Sequence, residues 1–302
     1  MRRPAPHCHE PDPVFESLLA EPVGVLRPPQ QKVPFVFASP HSGRLYPAGF
    51  VDRSRLGAVS LRRSEDAFVE ELFGPVVDCG APLLFARFPR AYLDANRAPA
   101  ELDASMFEGT LPFPVDPASP RVHAGLGIIP RVVREGVEIY GHRLPVREAE
   151  ERIRHFYRPY HNQLGQLIAD TRARFGIAVL VDCHSMPSGT AAPDIVLGDR
   201  LGLAAAAQVT YAAEYAFSRQ GFRVARNTPY AGGHSTQLYG RPGAAIHALQ
   251  IEINRALYLD EERVERGRGF ECTRRRLASA LRELIAFTAP QAHSPPSRLA
   301  AE

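Results

Sequence analysis

The chain of 302 residues is long for one domain and short for two full ones, and its hydrophobic share of 45% is enough for a substantial core. Its 36 basic and 33 acidic residues leave a net charge of +3, a balance that points away from nucleic acid and from a charged membrane surface as partners. There is no apolar run near the roughly 18 residues of a spanning helix and no hydrophobic signal core at the N-terminus; Cys8, Cys79, Cys183 and Cys272 lack CxxC spacing, which predicts a protein of the reducing cytoplasm.

Residues 1–12 are rich in Pro, Arg and His and predict a disordered tail; His7-Cys8-His9 has the composition of a metal tract but falls within it. A single domain is expected over 13–288, followed by a second Pro-rich tail over 289–302. Val33 to Ser39 reads as a strand buried on both faces, ending in the turn Pro40-His41-Ser42-Gly43. Ser64-Glu65-Asp66 reads as the start of a helix reaching Phe73, with a hydroxyl cap and acids in the first turn. Leu83 to Phe88 is a second strand, leading into Asp94-Ala95-Asn96-Arg97. The many Gly and Pro residues of 100–145 predict a loop-rich excursion near the active edge, where loops of such length are usually functional.

Apolar residues from Ile153 to Ile168 recur at helical spacing, predicting a long helix over 145–174 with a kink at Pro159. Ile177 to Asp182 is a third buried strand and ends at Cys183-His184-Ser185. Further along come an Ala-rich helix over 201–219, strands over 221–226 and 245–253, and a closing helix over 262–287. Alternating strands and helices argue for an α/β fold with a sheet covered on both faces.

In such folds ligands gather beyond the carboxyl ends of the strands, and two strands deliver a histidine there. His41 and His184, with one carboxylate as third ligand, would form a hydrolytic zinc site. Glu65 and Asp66 both qualify as that carboxylate, and Asp182, two residues before His184 on the same strand face, can orient an imidazole from behind. Glu252 lies between apolar neighbours in Leu249-Gln250-Ile251-Glu252-Ile253, where an ionised carboxylate is costly; it is either a partner of Arg255 or a general base with a raised pKa. Asn96, Arg97, Arg226 and Arg255 follow strands and could grip an anionic small molecule, a dicarboxylate suiting several forked donors. His234, in the Gly232-Gly233-His234 loop, is a candidate for substrate binding.

Taken together, Ser39-Pro40-His41-Ser42-Gly43, Ser64-Glu65-Asp66, Asp94-Ala95-Asn96-Arg97, Asp182-Cys183-His184-Ser185-Met186-Pro187, Asn227-Thr228-Pro229-Tyr230-Ala231-Gly232-Gly233 and Gln250-Ile251-Glu252-Ile253-Asn254-Arg255 resemble, in this order, the N-formylglutamate amidohydrolase family. The resemblance implies a three-layer α/β/α fold with a mixed, mostly parallel sheet, akin to zinc exopeptidases and the phosphorylase/hydrolase-like folds. It implies zinc-dependent hydrolysis of N-formyl-L-glutamate to formate and L-glutamate, the last step of one route of histidine degradation. Carried over by position, His41, Asp66 and His184 would hold zinc, with Glu65 the alternative to Asp66; Glu252 would activate water and Asn96-Arg97 would grip a substrate carboxylate. The alternatives are a hydrolase of another N-acyl amino acid or small peptide, and a relative that binds a metal or ligand without catalysis.

Overall fold

The computed structural model describes residues 12–134, 136–189 and 192–288. The His7-Cys8-His9 tract, the tail at 289–302 and all but the last residue of the tail predicted over 1–12 lie outside the described residues. That last residue, Asp12, is a helix cap: its carboxylate accepts from Val14 N and Phe15 N and opens α1 (Pro13–Ala20). Among the described residues, no helix is long and apolar enough to cross a membrane.

Seven strands form the central sheet: β1 (Val23–Leu26), β2 (Phe35–Ser39), β3 (Leu83–Ala86), β4 (Ala178–Met186), β5 (Ile195–Gly198), β6 (Val224–Arg226) and β7 (Ile246–Asn254). Their spatial order is β1-β3-β2-β4-β7-β5-β6. The inner four, β3, β2, β4 and β7, run parallel, while β1 and β5 pair antiparallel with their inner neighbours. This is the mixed, mostly parallel sheet that the family resemblance implied.

Strand pleating divides the core in two. Phe35, Phe37, Val179, Val181 and Cys183 pack on one face with Leu72 of α2 (Val69–Phe73), Ala213 of α4 (Ala207–Arg219) and Leu281 of α6 (Phe270–Thr288). Val36, Ala38, Ala178 and Leu180 pack on the other with Tyr160, Leu164 and Leu167 of α3 (Arg158–Phe175). Alternate residues of one strand thus feed opposite layers, the α/β/α arrangement in which a parallel strand is buried on both faces.

Several boundaries differ from the expectation. No helix starts at Ser64: its hydroxyl donates to Leu61 O, and α2 begins only at Val69, after Phe68 at φ 63°. The long helix runs as Val146–Arg152, one π-turn over Ile153–Tyr157, and α3, so the wide turn immediately precedes Pro159. Residues 201–206 are turns rather than helix, and a small hairpin pairing Leu259–Asp260 with Glu265–Arg266 precedes α6. Among its described residues the excursion at 100–145 carries only two- and three-residue strands and short helical turns.

Candidate active site

The site lies beyond the carboxyl ends of β2, β4 and β7. β2 pairs with β4 so that Ala38 lies opposite Asp182, and β4 pairs with β7 so that His184 lies opposite Glu252. That register fixes His184 and Glu252 side by side on the face where Asp182 and Gln250 also point. Past Ser39 the chain turns sharply against the end of β3: a Cβ on Gly43 would stand 2.0 Å from Phe88 O, so only glycine permits the approach. The turn leaves the rings of His41 and His184 with centroids 4.8 Å apart. Asp66 is tied to the same turn through its backbone, N donating to His41 O at 3.0 Å.

His41, Asp66 and His184 are buried and each offers one ligand atom within 4.8 Å of the others. Both imidazoles turn Nδ1 toward the same oxygen, Asp66 Oδ2, at 3.3 Å from His41 and 3.0 Å from His184. Ligand atoms each roughly 2.0–2.1 Å from a tetrahedral zinc are about 3.3 Å from one another, so this spacing suits such an ion. The far nitrogens are braced by carboxylates: His41 Nε2 by Asp94 Oδ1 at 2.7 Å, His184 Nε2 by Asp182 Oδ2 at 3.0 Å. A proton held on Nε2 leaves the Nδ1 lone pair free, and this back-bracing is the usual setting of metal-binding histidines. The donor set therefore fits a divalent cation.

Charge favours a cation as well. Asp66, Asp94, Asp182 and Glu252 are buried here, against the guanidiniums of Arg90, Arg97 and Arg255. Burial alone would raise the Asp66 carboxyl, but its bonds to His184 and His41 outweigh that and hold it well below the usual range. Burial would likewise lower the His184 imidazolium, and Asp182 outweighs it, raising the group well above its ordinary value. Asp94, buried too, is held down by Arg97, His41 and Arg90. Glu252 behaves differently. Among the described residues no guanidinium pairs with it, and burial pushes its carboxyl up to about 7, with His184 pulling the other way. Gln250 Nε2 donates to its Oε1 at 2.8 Å and fixes its orientation. Arg255, the alternative partner, instead bonds Asp66 Oδ1, Ser185 Oγ and the Glu65 and Arg63 carbonyls.

The structure separates the two acids that the sequence left open. Glu65 turns away from the histidines, accepting from Tyr46 Oη and two nitrogens of Arg62, while Asp66 joins both imidazoles. Asn96 braces the centre from behind through Asp182: Nδ2 donates to Asp182 Oδ2 at 3.2 Å, beside His184 Nε2, and Oδ1 accepts from Ser235 N. Gly233 packs so closely on that amide that a Cβ would stand 2.5 Å from it. Arg97 lines the cleft, but Nε and Nη1 donate to the Leu126 and Asn96 carbonyls, and Nη2 lies 3.6 Å from Asp94. Two candidates are not brought to the cleft wall. Arg226 is exposed and pairs with Glu214, because β6 is the outermost strand. His234 opens the short helix α5 (His234–Tyr239) and turns to Tyr157 Oη, 3.1 Å away. Asp94 and Arg90, to which sequence reasoning gave no role, belong to the centre. A signal existed in the run from Arg90 to Arg97, which places acid and base at i,i+4 just past a strand.

The centre opens into a cleft of ≈ 960 Å³, walled by the excursion through Arg121, Leu126, Val132 and Arg134, and by the β6–α5 loop through Tyr230 and Gly232. A sequence profile described as N-formylglutamate amidohydrolase matches residues 33–259. The chain is 29% identical over 274 residues to an N-formylglutamate deformylase of Pseudomonas aeruginosa, covering 85% of this chain and 94% of that one. A Pseudomonas putida protein of the same name is 29% identical over 257 residues, covering 77% and 84%. Among solved structures, an N-formylglutamate amidohydrolase from Ralstonia eutropha superposes with a TM-score of 0.83 at 36% identity, over 89% of this chain and 99% of that one.

Proposed function

This chain belongs to the N-formylglutamate amidohydrolase family, and from that premise we propose that it hydrolyses N-formyl-L-glutamate to formate and L-glutamate with the help of a divalent metal ion, zinc by the chemistry of the donor set. The observation that carries the reading is the convergence of His41 Nδ1, His184 Nδ1 and Asp66 Oδ2, each imidazole backed by its own carboxylate, beside Glu252 with its carboxyl at about 7. The names of the Pseudomonas and Ralstonia relatives support the substrate. The place of the reaction at the end of a histidine-degrading route, in the cytoplasm, is part of the same reading.

When bound by His41, Asp66 and His184, such an ion supplies Lewis acidity: it polarises a carbonyl and brings the pKa of water down to roughly 7. The protein's own groups do the rest. Asp94 and Asp182 fix the tautomer of each histidine, so that both lone pairs face inward. Glu252 takes a proton from the attacking water and returns it to the amine that departs from the formyl carbon, a task for a base poised near neutrality. Gln250 holds one Glu252 oxygen, leaving the other to face the water. Arg255 fixes Asp66 through its second oxygen, Oδ1, so that Oδ2 stays between the rings. Formate release from N-formylglutamate by purified protein, before and after chelation and with zinc restored, tests the reading. Turnover that survives complete chelation counts against the metal, and no turnover with zinc present counts against the activity.

A second reading keeps the chemistry and enlarges the substrate to another N-acyl amino acid or a small peptide. The observation favouring it is the cleft, whose ≈ 960 Å³ is far more than so small a molecule fills. Ranking kcat/KM for formyl-glutamate, acetyl-glutamate and a glutamyl dipeptide separates the two.

A further inference from the structure

Arg90 stands out among the arginines of the cleft because it is anchored at one nitrogen and open at the other two. Its Nε donates to Asp94 Oδ2 at 3.1 Å, the oxygen not engaged with His41. Tyr92 N and Leu93 N both bond Pro89 O, closing the turn that sets Arg90 and Asp94 four residues apart on one side. Among the described residues, Nη1 and Nη2 make no hydrogen bond to protein, and the side chain, 24% exposed, faces the cleft. Arg97 and Arg255 also line that wall, but carbonyls hold two nitrogens of Arg97 while its third faces Asp94 at 3.6 Å, all three nitrogens of Arg255 are bonded, and Arg62 grips Glu65 with two of its own. Asp94, which anchors Arg90 through one oxygen, braces His41 through the other, so Arg90 is tied to the centre by a single carboxylate.

We infer that Arg90 receives the α-carboxylate of the substrate, and so acts as the residue that selects N-acyl α-amino acids over N-acyl amines. The inference rests on the proposed hydrolysis and extends it to the group that decides what is bound. A planar fork with two parallel N–H donors matches a carboxylate in bidentate fashion, whereas a single carbonyl oxygen needs only one. In an N-acyl α-amino acid the α-carboxylate is two bonds from the amide nitrogen. A substrate whose amide lies at His41, Asp66 and His184 therefore brings that carboxylate to the side chain adjoining His41 through Asp94. Anchoring by Nε holds the fork in place before the substrate arrives, which limits the ordering cost of binding.

The test crosses a substitution with a substrate truncation. Arg90→Lys keeps a positive charge beside Asp94 and lacks the fork; Arg90→Met removes both. Each is compared with the parent on N-formyl-L-glutamate, on N-formyl-4-aminobutyrate, which lacks the α-carboxylate, and on N-formyl-L-2-aminobutyrate, which lacks the distal one. The parent is expected to favour formyl-glutamate over the 4-aminobutyrate derivative by on the order of 100-fold in kcat/KM. In both variants that preference is expected to shrink below about 5-fold, mainly through KM, with the 4-aminobutyrate derivative nearly unaffected. Equal losses on all three substrates, or collapse of the preference for the distal carboxylate instead, overturn the assignment. Calorimetric binding of L-glutamate and 4-aminobutyrate to the zinc-loaded proteins reads the subsite without turnover, so inactive parent protein leaves the assignment testable. Glutamate binding that is absent in the parent, or unchanged in Arg90→Lys, refutes it.

Discussion

At the residue scale the chemistry turns on one contrast: among the acids of the centre, Asp66 and Asp94 are held ionised by their partners, and Glu252 is held near neutrality by burial. A base must be unprotonated to act, and the Glu252 carboxyl stands at about 7, so activity should climb as pH rises through that region. A bound dication adds positive charge, which lowers a carboxylate pKa, and the acid limb of kcat/KM should therefore centre at or below about 7. Glu252→Gln should retain metal while kcat falls by roughly 100- to 10,000-fold; kcat within a few-fold of the parent sinks the role of base. Asp94→Asn should weaken metal affinity by about 10- to 100-fold, because the brace behind His41 becomes neutral. Equilibrium dialysis of both variants against zinc separates the two roles. His41, His184 and Glu252 were legible in the sequence because polar groups at the ends of buried apolar strands are costly without a purpose. Telling which of Glu65 and Asp66 faces the histidines needed the fold, since adjacent residues of a turn point apart. Nor does sequence tell which guanidinium has its nitrogens occupied by carbonyls, the property that separates Arg97 from Arg90.

At the scale of the element, the long buried strands were legible and the short pieces were not. β2, β4 and β7 carry apolar runs bounded by turn residues, and the structure places each within about two residues of expectation at its start. β5 has four residues and no alternation to reveal it, as both its faces are buried. Ser64-Glu65-Asp66 imitates a capped helix start, because hydroxyl and acidic residues suit a helix N-terminus and a turn alike; tertiary bonds from Asp66 to His41 settle it as a turn. The β2–His41 turn is the element on which the centre most depends. Gly43→Ala places a methyl group against backbone at Phe88, where no side chain can swing aside. The substitution should destabilise the protein by about 1–3 kcal/mol, the range of an overpacked core, and lower zinc content by displacing His41. Denaturant midpoints and metal analysis check both. A variant with parental stability and full zinc shows that the close approach does not position the ligand.

For the whole molecule, the buried carboxylates make proton, metal and fold compete for the same few atoms. His184 has its imidazolium raised well above the ordinary value, so in the metal-free protein a proton sits where a cation would bind and stabilises the fold below its folded pKa. Glu70, whose carboxyl burial pushes to about 7, also favours folding when protonated, and so does Glu252. The sign follows: each of these folded-state pKa values lies above its unfolded counterpart, so the native state binds more protons and these three groups lose stabilisation as pH rises. Glu70 and Glu252 lose theirs between about 4.5 and 7, and His184 above its ordinary value of 6.5. Asp66 and Asp94 act in the opposite sense, and theirs is lost only at acid pH, below the ordinary 3.8. On the proposed reading a divalent cation would replace the proton between the imidazoles, and by mass action zinc at 100 times its Kd would add about 2.7 kcal/mol to folding stability. Zinc should therefore raise Tm more at pH 8, where protons are scarcer, than at pH 5.5, where proton and metal contend more strongly. Scanning calorimetry of chelated protein with and without zinc at the two pH values measures this difference. A gain equal at both, or larger at pH 5.5, means that the ion does not displace the proton shared by His184 and Asp66. Glu70→Gln supplies the control, since it should flatten the decline between pH 4.5 and 7 while leaving the zinc-dependent gain at pH 8 in place.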